Sequence, residues 1–288
     1  MKKSQDTLFD PVILASLLGL TGLLYVPGLF SGLILDDYYN LHPLSDVGRS
    51  GYIAFIFSGV AGELGRPVSL LSFALQHEAW PQDLLAFKAA NLFIHLLNGV
   101  VVFLISRFLG RHLAFDDRSI RVFSFSVAGL WMLHPIQQTT VLYVVQRMTE
   151  LSGFFVLLGL YGYLLGRERC ARGQLAGGYA GMSAALVLGT ALAAFSKENG
   201  VLLPLLVLIV DLTLLRDWPA PSGYVIWRRL FLVLPSAAIG LYLLYTLPEA
   251  VRGFEFRPYS IWQKSLTETV VLAHYLVNML LPSPGAFG

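Results

Sequence analysis

The segment "AAFSKENGVLLP" places Lys197, Glu198 and Asn199 within an apolar stretch that runs from about Tyr179 to Leu215. Burying the two charges at the centre of a membrane would cost roughly 2.5 to 3.5 kcal/mol each, and the stretch is too long for one crossing. We therefore expect the chain to turn at Lys197 and Glu198, close to a membrane surface. Ionisable residues at membrane depth are candidates for function, although a lysine at a helix end is also a common interfacial anchor.

Two adjacent carboxylates, Asp36 and Asp37, follow the first apolar stretch in the segment "LILDDYYNLHPL". At a membrane surface such a pair could act as a general base or hold a metal ion. Aspartate is also a common N-cap residue, and the spacing alone favours that structural interpretation. If a divalent cation such as Mg²⁺ or Mn²⁺ takes part in the chemistry, these two aspartates are its candidate ligands. No pair of histidines in the sequence has metal-ligand spacing, so no zinc site is predicted.

A third polar segment, "LHPIQQTTVLYVVQRMTEL", contains His134, Pro135, Arg147 and Glu150. Pro135 should break or start a helix. Arg147 and Glu150 are three residues apart and therefore share one helical face. A histidine before a proline is more often a hydrogen-bonded turn residue than a ligand, which is the simpler interpretation of His134.

Three cations of the polar segments, Arg66, Arg147 and Lys197, could together bind one anion. Such a cluster suits a phosphate or diphosphate, because a guanidinium can hold two phosphate oxygens through parallel hydrogen bonds. Their positions along the chain do not decide whether the three side chains converge.

The composition indicates a polytopic membrane protein. Of the 288 residues, 56% are hydrophobic and only 13% are charged, and the mean hydropathy is +0.65. The single cysteine, Cys170, excludes an internal disulfide. The net charge of +2 gives no reason to expect a nucleic-acid partner. The sequence has no Walker motif, dinucleotide-binding fingerprint or nucleophile elbow, so ATP-driven transport is not expected.

A transmembrane helix needs about 20 predominantly apolar residues. This rule predicts an all-α bundle with eight spans, formed as a single domain over residues 1–288. The spans are predicted near 11–34, 86–108, 121–136, 149–166, 178–196, 200–215, 229–247 and 266–282.

The basic residues predict the orientation of the bundle. With a cytoplasmic N-terminus, the loops on the cytoplasmic side hold 12 of the 20 Lys and Arg residues, as the positive-inside rule requires. All the polar segments described above then lie on the outer side. The longest outer loop, about 35–85, contains apolar pieces near 51–60 and 67–75 that are too short to span, so we expect them to form interfacial helices.

Taken in order, these segments resemble a known family. The set comprises the acidic pair, "GRPVSLLSFALQ", "FKAANLFIHLLNGVVVFLI", "LHPIQQTTVLYVVQRMTEL" and "FSKENGVLLPLLVLIVDL". It resembles the transmembrane part of the tetratricopeptide-containing O-mannosyltransferase-like proteins and of the wider GT-C class of integral membrane glycosyltransferases. The resemblance covers about residues 30–285. The chain ends at "LLPSPGAFG", so we expect the C-terminal part of the family architecture, with its repeats, to be absent from it.

The resemblance implies transfer of a sugar from a polyprenyl-phosphate donor to a protein or glycan acceptor, with inversion, at the outer face of a bacterial inner membrane. The family's carboxylate after the first span matches Asp36 and Asp37, and its "HP" turn matches His134. Its arginine matches Arg147, and its "KE" pair matches Lys197 and Glu198.

The residue chemistry agrees with that implication. Arg66, Arg147 and Lys197 would stabilise the charge that grows on the leaving phosphate, and an aspartate would take the proton of the acceptor hydroxyl. Glu150 or Glu198 would orient the cations or hold sugar hydroxyls.

Two alternatives remain open at this stage. A flippase or secondary transporter for polyprenyl-linked glycans should carry its charges at mid-membrane and often has internal repeats. A non-catalytic homologue that only binds the lipid would keep the cations and tolerate loss of the aspartates.

Overall fold

A computed structural model of the chain describes residues 2–58, 65–255 and 257–282. These residues form helices joined by turns, with no strand in any of the three ranges, so the predicted all-α class is confirmed. The α-helices are α1 (Lys2–Leu29), α2 (Asp37–Leu41), α3 (Val47–Ser50), α4 (Tyr52–Ile56), α5 (Pro67–Ala74), α6 (Leu84–His112), α7 (Asp117–Leu133), α8 (Gln137–Leu142), α9 (Arg147–Ala171), α10 (Leu175–Ala194), α11 (Leu203–Leu212), α12 (Tyr224–Arg228), α13 (Leu234–Arg252) and α14 (Ile261–Leu280).

Several of these helices are long and apolar enough to cross a membrane. Among the described residues there are five such segments: Asp10–Leu29, Leu84–His112, Val144–Ala171, Leu175–Ala194 and Tyr224–Arg252. Each overlaps a predicted span. The other three predicted spans correspond to α7, with 17 residues, to α11, with 10 residues, and to α14, which carries more polar and charged residues.

The chain divides into two compact units, one ending at Leu203 and the other beginning at Pro204. In the second unit, α12 continues through a π-helical turn, Arg229–Val233, into α13. The buried Asp211 accepts hydrogen bonds from the Tyr224 hydroxyl at 2.5 Å and from Arg228 Nη1 at 3.3 Å. No residue of α13 or α14 in the described ranges is buried within the protein, which fits helices whose apolar side chains face lipid.

Helix α6 lies at the centre of the first unit, where it packs against α1, α7, α8 and α9. Its residues Lys88, Asn91, His95 and Asn98 are all buried, and their spacing of three or four positions places them on one face. We refer to this set as the α6 polar stripe. In an otherwise apolar helix, such side chains must find hydrogen-bond partners inside the protein.

The first half of the α6 polar stripe binds carbonyl groups where α1 and α8 end. Lys88 Nζ donates to the carbonyl oxygens of Ser31 and Gly32, each at 2.8 Å. Asn91 Nδ2 lies 3.2 Å from the carbonyl oxygens of Val141 and Tyr143. Carbonyls at a helix end lack partners within the helix, so these two side chains stabilise the points at which the chain leaves the bundle.

The second half of the stripe joins α6 to two more helices. His95 Nε2 donates to the carbonyl oxygen of Met132 at 3.0 Å, in the last turn of α7. Asn98 Nδ2 donates to the carbonyl oxygen of Glu150 at 3.2 Å, in the first turn of α9. His95 and Asn98 therefore join α6 to α7 and α9 through hydrogen bonds.

Helices α9 and α10 form a tight hairpin in which glycines set the distance between the backbones. A Cβ atom at Gly166 would lie 2.5 Å from Met182 Cγ and 2.9 Å from the carbonyl oxygen of Gly178. A Cβ atom at Gly159 would lie 2.5 Å from Leu203 Cδ2. The two helices therefore pack closely through small residues.

The two helix breaks predicted from the sequence are both present. Helix α7 ends at Leu133, just before Pro135, and α8 begins at Gln137. Helix α10 ends at Ala194, and the chain then turns through Lys197 into a 3₁₀ helix, Glu198–Leu202. The predicted turn at Lys197 and Glu198 is therefore confirmed.

The segment predicted as the long outer loop consists of short helices, α2 to α5. Residues 59–64 of this segment, which include the end of the first predicted interfacial piece, lie outside the described residues. Helix α5 buries Leu70 and Phe73, which pack with Leu41, Phe87 and Met148 into one apolar cluster. Packing against the helical bundle thus fixes α5, and with it the adjacent Arg66.

Candidate functional site

A single short segment, residues 143–150, contacts most of the predicted site residues. It consists of Tyr143, a 3₁₀ turn (Val144–Gln146) and the first turn of α9. We refer to it as the hub. Along the hub, the aspartates contact the earlier residues and the surface cations contact the later ones.

Asp37 is buried and serves as an acceptor for backbone groups. Its Oδ1 accepts from the backbone N–H of Val145 at 2.8 Å, and its Oδ2 accepts from those of Val144 at 3.3 Å and Ile34 at 3.1 Å. Burial raises the pKa of Asp37, and this effect outweighs the opposing influence of the three N–H groups and of Lys88. Asp37 therefore fastens the start of the loop to the hub.

The neighbouring Asp36 has the opposite environment, because its side chain is exposed. Its Oδ2 accepts a hydrogen bond from Asn40 Nδ2 at 2.9 Å, and its backbone N–H donates to the Tyr143 hydroxyl at 3.2 Å. Asp36 precedes α2 at the N-cap position but makes no side-chain capping bond. Of the two predicted aspartates, Asp36 is the one that an external molecule can reach.

The two aspartates differ in what they can offer a divalent cation. Both oxygens of Asp37 already accept hydrogen bonds from backbone N–H groups, so the exposed Asp36 carboxylate is the more accessible of the two. Mg²⁺ and Mn²⁺ favour several oxygen ligands in octahedral geometry. Within the described ranges, no group of three or more His, Cys, Asp or Glu residues could hold a metal ion.

Arg66 and Glu198 form a bidentate ion pair between α5 and the turn after α10. Arg66 Nε lies 2.9 Å from Glu198 Oε1, and Nη2 lies 2.7 Å from Oε2. Arg66 Nη1 also contacts Met148 Sδ in the hub, at 3.3 Å. The Arg66 backbone has a left-handed conformation, φ +46°, at the N-cap of α5, immediately before Pro67.

Lys197 lies beside this ion pair and contacts the same turn of the hub. Its Nζ donates to Thr149 Oγ1 at 2.7 Å, and the Thr149 hydroxyl donates to Gln146 Oε1 at 2.5 Å. Burial, together with the positive charge of Arg66, lowers the pKa of Lys197, while Glu198 opposes this shift. Burial favours the neutral form of Glu198, but the Arg66 hydrogen bonds and the two cations lower its pKa overall.

The charges at this point do not cancel. Arg66 and Lys197 supply two positive charges and Glu198 supplies one negative charge, so the three groups retain one net positive charge. The side chains of Arg66 and Glu198 are 23% and 38% exposed, so the group is accessible from outside. Fixed, partly desolvated cations of this kind suit an anion such as a phosphate. We refer to Arg66, Lys197 and Glu198 as the anion site.

Arg147, the third predicted cation, has a different environment. It is 1% exposed, and its guanidinium donates to Asn91 Oδ1 at 2.8 Å and to the carbonyl oxygens of Phe87 at 2.8 Å and Ser72 at 3.1 Å. The rings of Phe73 and Phe87 lie 4.5 and 5.4 Å from its Cζ atom. The structure thus brings Arg66 and Lys197 together, and it directs Arg147 into the protein.

The two remaining predicted residues, Glu150 and His134, are not part of the anion site. Glu150 is 4% exposed, and neither carboxylate oxygen has a hydrogen-bond partner in the described part of the chain. His134 Nδ1 accepts from the backbone N–H of Ile136 at 3.1 Å, as expected for a turn histidine. His134 also lines an open groove of about 330 Å³ between α1, the end of α7 and α8.

Sequence reasoning missed several residues that build the site. Thr149 and Gln146 hold Lys197, and Tyr143 binds the backbone at Asp36. Asn91 links Arg147 to the end of α8. The spacing of polar residues in α6 could have identified Asn91, since a buried polar stripe at intervals of three and four residues must face other polar groups.

Comparison with protein-family models, with curated proteins and with solved structures found no match to this chain.

Proposed function

We propose that the chain is a GT-C-type membrane glycosyltransferase of a bacterial inner membrane. In this proposal it has eight spans, a cytoplasmic N-terminus and residues 35–85 as its first periplasmic loop. It moves a sugar from a polyprenyl-phosphate donor to a protein or glycan acceptor at the periplasmic face, with inversion at the anomeric carbon.

One observation carries the proposal: the net positive, partly exposed anion site lies next to a helix break. A polyprenyl-phosphate donor keeps its tail in the hydrocarbon and needs fixed positive charge for its phosphate at the surface. Arg66 and Lys197 supply that charge. The hub joins the anion site to Asp36, since Lys197 contacts Thr149 and the Asp36 backbone contacts Tyr143.

The proposed reaction uses the two surface groups on opposite sides of the sugar. The acceptor hydroxyl oxygen forms a bond to the anomeric carbon while the bond from that carbon to the phosphate oxygen breaks. Asp36 takes the hydroxyl proton as general base. The electron pair of the broken bond remains on the phosphate, where Arg66 and Lys197 stabilise the growing negative charge.

The other predicted residues support this arrangement. Asp37 and Arg147 hold the loop and the hub in place, and Glu198 orients Arg66 through the bidentate ion pair. The reaction as proposed requires no metal ion, since charge stabilisation comes from the two cations.

Two measurements on the purified full chain test the proposal. Native mass spectrometry after incubation with total bacterial polyprenyl lipids should detect a bound polyprenyl-phosphate sugar that Lys197→Gln loses. Transfer of radiolabelled sugar to endogenous acceptors in membranes should require Asp36. A donor adduct with normal transfer in Asp36→Asn would rule out the base role, whereas an adduct with lipid translocation and no transfer would favour a flippase.

A further inference from the structure

Lys197 is held at the anion site by a chain of two hydrogen bonds that runs into the hub. Its Nζ donates to Thr149 Oγ1 at 2.7 Å, and the Thr149 hydroxyl donates in turn to Gln146 Oε1 at 2.5 Å. We refer to Thr149 and Gln146 as the lysine clamp. Within the described part of the chain, this is the one hydrogen bond that the Lys197 side chain makes. Two of the three N–H groups of the ammonium therefore remain for an external acceptor.

The direction of this chain favours the charged form of the lysine. A hydroxyl has one proton, and Thr149 donates it to Gln146. The hydroxyl oxygen therefore offers lone pairs to Lys197 Nζ, and these suit an ammonium, which can only donate. Without Gln146, the hydroxyl could rotate and donate to a neutral amine instead. Gln146 thus decides which form of Lys197 the hydroxyl supports.

The other surroundings of Lys197 act on its charge in both directions. Burial and the Arg66 guanidinium, at the start of α5, lower the pKa of Lys197, whereas Glu198, its neighbour in the chain, raises it. The lysine clamp itself is uncharged. The two charged residues in the same turn of α9, Arg147 and Glu150, are both buried. The lysine clamp is therefore the contact through which the hub offsets the cost of burying the Lys197 charge.

The hub also contacts the second cation of the anion site. Met148, the residue before Thr149, has its Sδ atom 3.3 Å from Arg66 Nη1. Met148 is buried and packs in the apolar cluster with Leu70 and Phe73, which fixes its position. Adjacent residues in one turn of α9 thus contact both cations.

We propose that Thr149 and Gln146 are positioning residues of the anion site, which hold Lys197 in its charged form and so extend the pH range over which the site binds a phosphate. Both residues act through Lys197 and not by contact with the phosphate. Phosphate binding at this site rests on the proposed function, whereas the effect of the lysine clamp on the charge of Lys197 does not.

The test measures the affinity of full-length protein in a neutral detergent for dodecyl phosphate, by isothermal titration. The titrations run from about pH 7.5 to about pH 10.5, where the phosphate is already doubly ionised. Wild-type affinity should fall as Lys197 loses its proton. In Thr149→Val the midpoint of this fall should lie about one pH unit lower, because a hydrogen bond to a charged group is lost. Gln146→Leu should move the midpoint in the same direction by less.

Two control variants separate the hydroxyl from other effects of substitution. Thr149→Ser keeps the hydroxyl and should keep the wild-type midpoint. Thr213→Val removes an exposed hydroxyl that donates to the Ile209 carbonyl oxygen at 2.6 Å, and it should change neither the midpoint nor the affinity. If Thr149→Val does not fold, Gln146→Leu decides.

A Thr149→Val midpoint equal to that of the wild type would overturn the inference, even with a lower affinity at every pH, because the role would then be merely structural. The charge of Lys197 can also be followed without a ligand. Thermal unfolding of each protein is compared with that of its Lys197→Gln counterpart over the same pH range. The stabilisation that accompanies loss of the Lys197 proton should begin at lower pH in Thr149→Val than in the wild type.

The two readouts distinguish failure of the lysine clamp from failure of the proposed function. An earlier onset of stabilisation in Thr149→Val, without any binding of dodecyl phosphate, would support the lysine clamp and remove the anion site. Binding of dodecyl phosphate with the same onset and the same midpoint in both proteins would keep the anion site and overturn the inference.

Discussion

Arg66 and Arg147 carry the same guanidinium group, and Arg66 contacts the hub while Arg147 is part of it, yet their surroundings differ completely. The Arg147 guanidinium donates hydrogen bonds to one amide oxygen and two carbonyl oxygens. It also lies close to two aromatic rings. Arg66 is partly exposed and binds one carboxylate, with Lys197 as a second cation close by. The comparison separates charges that hold the fold together from charges that remain for an external anion.

The largest expected effect is the loss of stability in Arg147→Ala. The substitution leaves the Asn91 side-chain oxygen and two backbone carbonyl oxygens buried without their donor. Each buried acceptor left without a donor costs about 1–3 kcal/mol. We expect a large fall in Tm, or failure to purify a folded monodisperse protein, as measured by thermal unfolding in detergent.

The matched control is Arg172→Ala, since Arg172 is exposed and pairs with Glu168, one turn earlier in α9. Its Tm should equal that of the wild type, because exposed ion pairs contribute little. A folded Arg147→Ala protein with normal Tm that has lost only dodecyl phosphate binding would reverse the comparison and make Arg147 a ligand-binding residue.

The adjacent aspartates give the next largest effect and a sharper form of the same comparison. Asp37→Ala removes the acceptor for three backbone N–H groups and should cost about 2 kcal/mol or more. Asp36→Asn should keep the wild-type Tm but lower sugar transfer by about 10²- to 10⁴-fold, as expected for loss of a general base. Thermal unfolding of both variants measures the predicted loss of stability in Asp37→Ala. A transfer assay on both variants measures the predicted loss of sugar transfer in Asp36→Asn.

The sequence predicted the features that depend on local pattern. The helix breaks at Pro135 and Lys197 followed from proline geometry and from the cost of burying charge. The environments of Asp36 and Asp37 could not be predicted, because they depend on backbone N–H groups of the hub more than one hundred residues away. Likewise, whether an arginine is buried depends on which carbonyl groups the tertiary fold brings to it.

The spans show the same division between local and tertiary information. Segments with long apolar runs, such as Leu84–His112, were predicted from composition alone and are present. The spacing of the residues of the α6 polar stripe was enough to predict that they share one helical face. The hydrogen-bond partners of the stripe could not be predicted from the sequence, because they are carbonyl groups at the ends of three other helices and within the first turn of α9.

A smaller effect, on the affinity for an anion, is expected from Arg66→Lys. The substitution keeps the positive charge but removes the guanidinium that can donate to two oxygens at once. Affinity for dodecyl phosphate should fall about tenfold, because a lysine acts as a point charge. The Tm should change little, since Arg66 and Glu198 form a partly exposed pair. Isothermal titration on both proteins measures the difference, and equal affinities would show that Arg66 only holds Glu198.

The smallest expected effect is a pH dependence that belongs to the anion site and not to Arg147. The pKa of Lys197 lies below its ordinary value of 10.5 because of burial and the nearby Arg66 charge. Below that lowered pKa the ammonium is present and binding is complete; above it the charge is lost. Dodecyl phosphate affinity should thus fall about threefold to fivefold as pH rises through the lowered pKa, at values where the phosphate itself is already doubly ionised.

Lys197→Arg separates this titration from any other source of pH dependence. An arginine remains charged throughout the range, so the variant should bind dodecyl phosphate with the same affinity at every pH above neutrality. Stability without ligand should change in the opposite direction in the wild type. Between the lowered pKa and 10.5 the unfolded chain binds more protons at Lys197 than the folded one, so the free energy of unfolding rises with pH. A wild-type affinity that stays constant over this range would mean that Lys197 does not contact the phosphate, and Arg66 would then be the cation of the anion site that binds it.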